Sequence, residues 1–174
     1  MMKVECYVDG SYIDKAEEVN GALIVLIGGK LASAFRLHTE DKKLLKHRQV
    51  SGEVFSALYA LEFFDNGLKE AANAVDEIII YHDYTGIAFW VDGTWKKTNN
   101  PMSTDYKRRA IAAVESLAEK GVKVSFVKVK AHSGDKYNEY ADKIANGKIP
   151  EELKEMYDGQ QNYRMSNSQV VFET

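Results

Sequence analysis

The chain opens on three short apolar segments in quick succession. Lys3 to Val8 alternates apolar and polar positions, which predicts a half-buried strand ending at Asp9-Gly10-Ser11. Gly21 to Ile27 is almost wholly apolar, as expected of a strand covered on both faces. Lys30 to Leu37 follows across Gly28-Gly29, a pair that suits a tight hairpin. The period then changes. Val54, Ala57, Leu58 and Leu61 fall at i, i+3, i+4 and i+7, the stripe of a helix with Ser51 as its N-cap and Asn66-Gly67 at its end. Glu77 to Tyr81 is another buried strand. A helical segment is expected from Thr85 to about Val91. Ser103 or Thr104 is expected to cap the next helix, whose Ala110, Val114, Leu117 and Ala118 face inward. Lys123 to Val129 alternates as a strand, and a last helix carries Tyr137, Tyr140, Ala141 and Ile144.

The predicted order is βββαβααβα. Strands joined by short turns pair antiparallel, and strands separated by helices add in parallel through right-handed crossovers. The fold class is therefore α/β, a five-stranded mixed sheet flanked by helices. Functional groups in such sheets gather at the carboxyl ends of strands, where the strand order switches. Residues 1–149 read as one domain. Residues 150–174 read as an appendage, a short helix after Pro150 followed by a polar tail.

Composition narrows the class. With 174 residues, 45% hydrophobic and 28% charged, the chain has the makeup of a globular domain, not of a disordered, collagen-like or coiled-coil chain. The longest apolar run, Ala22 to Ile27, falls well short of the ~20 residues of a spanning helix. Glu5 interrupts the start where a signal peptide needs an apolar stretch, so a cytoplasmic monomer is expected. Cys6 is the single cysteine, which excludes an intrachain disulfide and a multi-cysteine zinc site. Net charge is −3 but uneven: residues 96–130 carry nine Lys or Arg against three Asp or Glu. A locally basic stretch on an acidic chain can follow a phosphate backbone.

Four carboxylates are candidate chemistry. Asp9 and Asp83 end two strands, Glu53 lies in the first turn of a helix, and Asp142 lies in the last helix, ten residues after His132. Four such groups in one pocket repel unless a counter-charge is supplied. All-oxygen ligands suit Mg²⁺, with Mn²⁺ as its substitute, and two ions would offset four negative charges.

Asp9-Gly10-Ser11, Gly52-Glu53, Asp83 and the run from Val127 to Asp142, with its Lys-Ala-His-Ser-Gly loop and Asn-Glu-x-x-Asp helix start, resemble type 1 ribonuclease H. The resemblance covers roughly residues 3–148. Tyr84-Thr85-Gly86-Ile87 with Gly93-Thr94-Trp95-Lys96 is similar to the bacterial branch related to viroplasmin-domain-containing ribonucleases H, here without the N-terminal hybrid-binding domain.

The resemblance implies hydrolysis of the RNA strand of an RNA–DNA hybrid, leaving 5′-phosphate and 3′-hydroxyl ends. It implies that Asp9 bridges two metal ions, that Asp142 completes the site of the ion activating water, and that Glu53 and Asp83 hold the other. His132 would shuttle a proton or help product leave. Substrate contacts would fall to Gly10, Ser11, Gln49, Ser51 and Gly52 beside the metals, and to Trp90, Trp95, Lys96 and Lys97 along the duplex. Two rivals are a DNA nuclease or junction resolvase of the same superfamily and a non-catalytic hybrid-binding module.

Overall fold

The computed structural model describes residues 2–39, 44, 46–68, 74–130, 134–164 and 171–173. The mixed sheet forms as the pattern predicts. Strands β1 (Lys3–Ile13), β2 (Glu18–Ile27) and β3 (Lys30–Thr39) make an antiparallel meander. Strands β4 (Glu77–His82) and β5 (Lys123–Lys128) add in parallel on the far side of β1. Helices α1 (Arg48–Gly67), α2 (Gly86–Asp92), α3 (Pro101–Glu119) and α4 (Lys136–Ala145) flank the sheet.

The C-terminal residues join this body. A 3-10 helix, Glu151–Met156, leads into β6 (Tyr157–Arg164), which pairs in parallel with β3, and β7 (Val171–Glu173) pairs with β6. Strand order among the described residues is β5-β4-β1-β2-β3-β6-β7. Leu153 is completely buried. The expected short helix is present as a 3-10 helix, and its Leu153 docks in the smaller core.

Alternation along the strands gives the sheet two unlike faces. Val4, Cys6, Val8, Ile78 and Ile80 meet α1 and α3 in a large apolar core. Burial there pushes the Cys6 thiol well above its usual range, which keeps it an inert hydrophobe. The opposite face carries Tyr7, Ala22, Ile24 and Leu26 under α4, in a smaller core that Leu153 completes. Tyr7 and Tyr81 stack across the β1–β4 pair with centroids 4.4 Å apart.

Three boundaries differ from expectation. β1 does not stop at Asp9; it runs on, with Asp9 opposite Ala22 and Gly10 opposite Gly21, and turns at Asp14–Glu17. Asp9 therefore lies inside a strand. α1 begins at Arg48, so Ser51 sits within the helix instead of capping it, and its hydroxyl meets Met102 Sδ at 3.0 Å. The cap of α3 is Asn100, whose side chain accepts from the Ser103 N–H at 2.8 Å, with Pro101 opening the first turn.

Candidate active site

Pairing between β1 and β4 ends at Tyr7–Tyr81, while β1 continues beside β2. An opening is left alongside the middle of β1, at the point where its two neighbours run in opposite directions. Asp9 is half-buried at one edge of it, and Asp83 follows the last residue of β4. Tyr7 and Tyr81 share a face, so alternation directs Asp9 and Asp83 to that same face.

Glu53 reaches the opening from α1, across the sheet end. Glycines make this approach feasible. A Cβ on Gly10 would lie 2.1 Å from the Gln49 carbonyl oxygen and 2.5 Å from the Glu53 nitrogen. One on Gly52 would lie 2.1 Å from the Asn20 carbonyl oxygen, and one on Gly21 2.6 Å from the Gly52 oxygen. The first turns of α1 thus rest directly on the backbones of β1 and β2. At Gly10 and Gly52 the missing side chains let main chain meet main chain.

The Glu53 carboxylate is almost wholly buried and held by main-chain donors. The Asp83 N–H donates to Oε1 at 2.6 Å and the Tyr84 N–H to Oε2 at 3.0 Å. Burial raises its pKa from the usual 4.5 to about 8. The two N–H donors oppose that shift, and the nearby Asp9 and Asp83 charges reinforce it.

Asp142 comes from the other side. The Tyr137 ring lies 5.5 Å from Tyr7, and the Ala145 carbonyl accepts from Ser11 Oγ at 2.6 Å. From Tyr137 to Ala145 a helix rises about 12 Å, and from Tyr7 to Ser11 a strand advances about 13 Å, so the two elements keep pace. Asp142 is then level with Asp9 and Gly10. Its side chain is exposed, with Oδ1 accepting from Asn146 Nδ2 at 3.3 Å. The helix itself begins at an N-cap on Asp135, which accepts from the Tyr137 and Asn138 N–H groups at 3.0 Å each. His132 lies outside the described residues.

Asp9 and Asp83 lie near enough to Glu53 for their charges to act on it, and Asp142 approaches from α4. Among the described residues no three His, Cys, Asp or Glu side chains converge tightly enough to chelate an ion as they stand. The donor chemistry nonetheless fits a hard cation. All four groups offer oxygen, and each Glu53 oxygen, having accepted one N–H, keeps a lone pair. A cation entering here would offset the Asp9 and Asp83 charges that bear on Glu53.

The remaining expected contacts divide. Ser11 and Ser51 are buried and hydrogen-bonded within the fold, so their hydroxyls face inward. Gln49, Lys96 and Lys97 are exposed. Trp90 is mainly a core residue, 6% exposed, whereas Trp95 is 36% exposed. Both tryptophans line a groove of about 410 Å³ with Lys97, Tyr84, His47, Asn99 and Asn100. The groove adjoins the site through Tyr84, whose N–H holds Glu53. Sequence reasoning missed His47, Tyr84 and the two asparagines. Only the fold brings the start of α1 beside the segment between α2 and α3.

Comparison with known proteins agrees with this geometry. Among solved structures the chain is similar to RNase H1 from the halophilic archaeon Halobacterium salinarum, at 20% identity over 83% of this chain and 95% of that one, TM-score 0.59. It is similar to LC11-RNase H1, isolated from compost by a metagenomic approach, at 16% identity over 86% and 96%, TM-score 0.62. It is also similar to the N-terminal RNase H domain of a Mycobacterium tuberculosis protein, at 15% identity over 84% and 93%, TM-score 0.61. At these identities the likeness speaks for the fold. No curated protein sequence matches. The family model described as RNase H matches residues 1–149, the span that carries all four acids and both faces of the sheet, and the chain belongs to the RNase H family.

Proposed function

We propose that this protein hydrolyses the RNA strand of RNA–DNA hybrids with two divalent cations, Mg²⁺ or Mn²⁺, leaving 5′-phosphate and 3′-hydroxyl ends. The observation carrying this reading is the arrangement at the end of β4. There the buried Glu53 carboxylate, raised to about 8, meets Asp9 and Asp83 in a member of the RNase H family. Asp9, Glu53, Asp83 and Asp142 would hold the cations, which supply a nucleophilic water and stabilise the departing 3′ oxygen.

The chain's own groups do the rest. The Asp83 and Tyr84 N–H donors keep the Glu53 carboxylate oriented, so it need not reorganise when a cation binds. α4 carries Asp142 level with Asp9. His132 sits next to Ser133-Gly134 in the sequence, and an imidazole there would transfer a proton or help product leave. Gln49, exposed in the first turn of α1, would help read the 2′-hydroxyl that separates RNA from DNA. Trp95 and Lys97 in the groove, with Lys96 beside them, offer a sugar-packing ring and phosphate-pairing charge. The runs from Tyr84 and Gly93 favour the bacterial branch of the family.

The test offers RNA–DNA hybrid, double-stranded RNA and double-stranded DNA in Mg²⁺. Hybrid should be cut preferentially, and only in its RNA strand. Preferential cutting of DNA would assign the site to a DNA nuclease. Binding of hybrid without turnover in either Mg²⁺ or Mn²⁺ would assign it to a non-catalytic module.

A further inference from the structure

His82 occupies the last position of β4, on the opposite face from Asp83, as alternation requires. It is 1% exposed and packs edge-on against Phe126, centroids 6.2 Å apart. Its two ring nitrogens fare differently. Nδ1 lies 2.9 Å from the Tyr84 carbonyl oxygen. Nε2 is buried and has no hydrogen-bond partner among the described residues. A carbonyl only accepts, so Nδ1 carries the proton in this contact and Nε2 is the bare acceptor. An orphaned buried acceptor is unfavourable, and an apolar side chain would remove that cost. Packing alone therefore gives no reason for a histidine here. Among the described residues the ring's one polar contact is to Tyr84.

That contact closes a short turn. The ring of residue 82 grips the carbonyl of residue 84, and the turn between them presents the N–H groups of Asp83 and Tyr84 to the two oxygens of Glu53. The main chain of His82 is anchored as well, its carbonyl accepting from the Val129 N–H at 2.7 Å. We propose that His82 is a positioning residue: its Nδ1–H holds the 82–84 turn in the shape that aims two main-chain donors at Glu53, and so orients the carboxylate for cation binding. The last step rests on the reading of the site given above; the first does not.

Asparagine and leucine test this as a pair. They have nearly the same shape and leave the same space beside Phe126, but the Asn Nδ2 stands where the histidine Nδ1 stood and Leu has no donor. His82→Asn and His82→Leu are made in the full chain. The first readout is hydrogen exchange of the Asp83 and Tyr84 amides, which needs neither metal nor substrate. The Leu variant should lose at least tenfold in protection at these amides, and the Asn variant should stay within about threefold of wild type. The second readout is Mn²⁺ affinity without nucleic acid, expected to weaken about tenfold in Leu and little in Asn. A purely structural role would shift the melting temperature of both variants alike and leave Asn and Leu indistinguishable at the two amides; that result overturns the proposal. If His82→Leu does not fold, loss of amide protection in a folded His82→Asn variant overturns it equally, and retention supports it. Failure of wild-type protein to bind Mn²⁺ or cut hybrid would remove the metal site but leave the amide comparison standing as the test of His82.

Discussion

The two faces of the sheet hold the candidate site in different ways. On the α1 face, backbone rests on backbone: Gly10, Gly21 and Gly52 admit no side chain, and Glu53 is fastened by two main-chain donors. On the α4 face, Asp142 rides on a ten-residue helix held by a smaller core, by the Ser11–Ala145 hydrogen bond, and by the C-terminal segment. Leu153 fills that core from below, and Glu152 accepts from Tyr140 at 2.7 Å and from Lys136 at 3.0 Å, both on α4. Glu53 is set by rigid contact, Asp9 and Asp83 lie at the strands on the side that faces α4, and Asp142 rides on a helix that packs against residues past the matched family span.

The sharpest break is chemical. Asp9→Asn removes charge and keeps volume, so cleavage should fall by ~10³-fold or more while hybrid binding and circular dichroism persist. Next comes backbone contact. Gly52→Val forces a side chain against the Asn20 carbonyl and should cost at least about 3 kcal/mol in urea unfolding. Gly67→Ala, at the open end of the same helix, should be neutral or slightly stabilising. On the looser half, Leu153→Ala should cost about 2–3 kcal/mol and lower activity with it, since the cavity opens beneath α4. A change at Glu152, which is exposed, should move the melting temperature least of all.

Titration separates the halves again. Glu53 binds its proton more tightly folded than unfolded, so its contribution is full below about 4.5 and is lost as pH rises to about 8. Without divalent metal, stability should decline across that window, and the decline should flatten in Glu53→Gln. A divalent cation should restore stability most at the alkaline end, as read by thermal melts in matched buffers.

Most of the fold was legible because periods of 2 and 3.6 alternate cleanly along residues 3–145. The failures have physical causes. Asp9-Gly10-Ser11 looks like a turn because its residue types favour turns, yet Gly10 is small so that α1 can approach. Ser51 looks like a cap, yet its hydroxyl is used by Met102. The acids were readable as residue types at strand and helix ends, and the structure brings Asp9, Glu53 and Asp83 together. The main-chain donors on Glu53 were not readable, because any residue supplies an N–H. The role of the C-terminal segment was hidden by its polar composition; a single leucine among charges gives no periodicity, but Leu153 completes the α4 core.

A crystal structure with Mn²⁺ and a non-cleavable RNA–DNA hybrid tests the central claim most directly. The account predicts two anomalous-scattering peaks between Asp9, Glu53, Asp83 and Asp142, with Asp9 touching both and α4 drawn toward β1. Mn²⁺ bound elsewhere, or a hybrid seated with these four carboxylates still apart and metal-free, would contradict it.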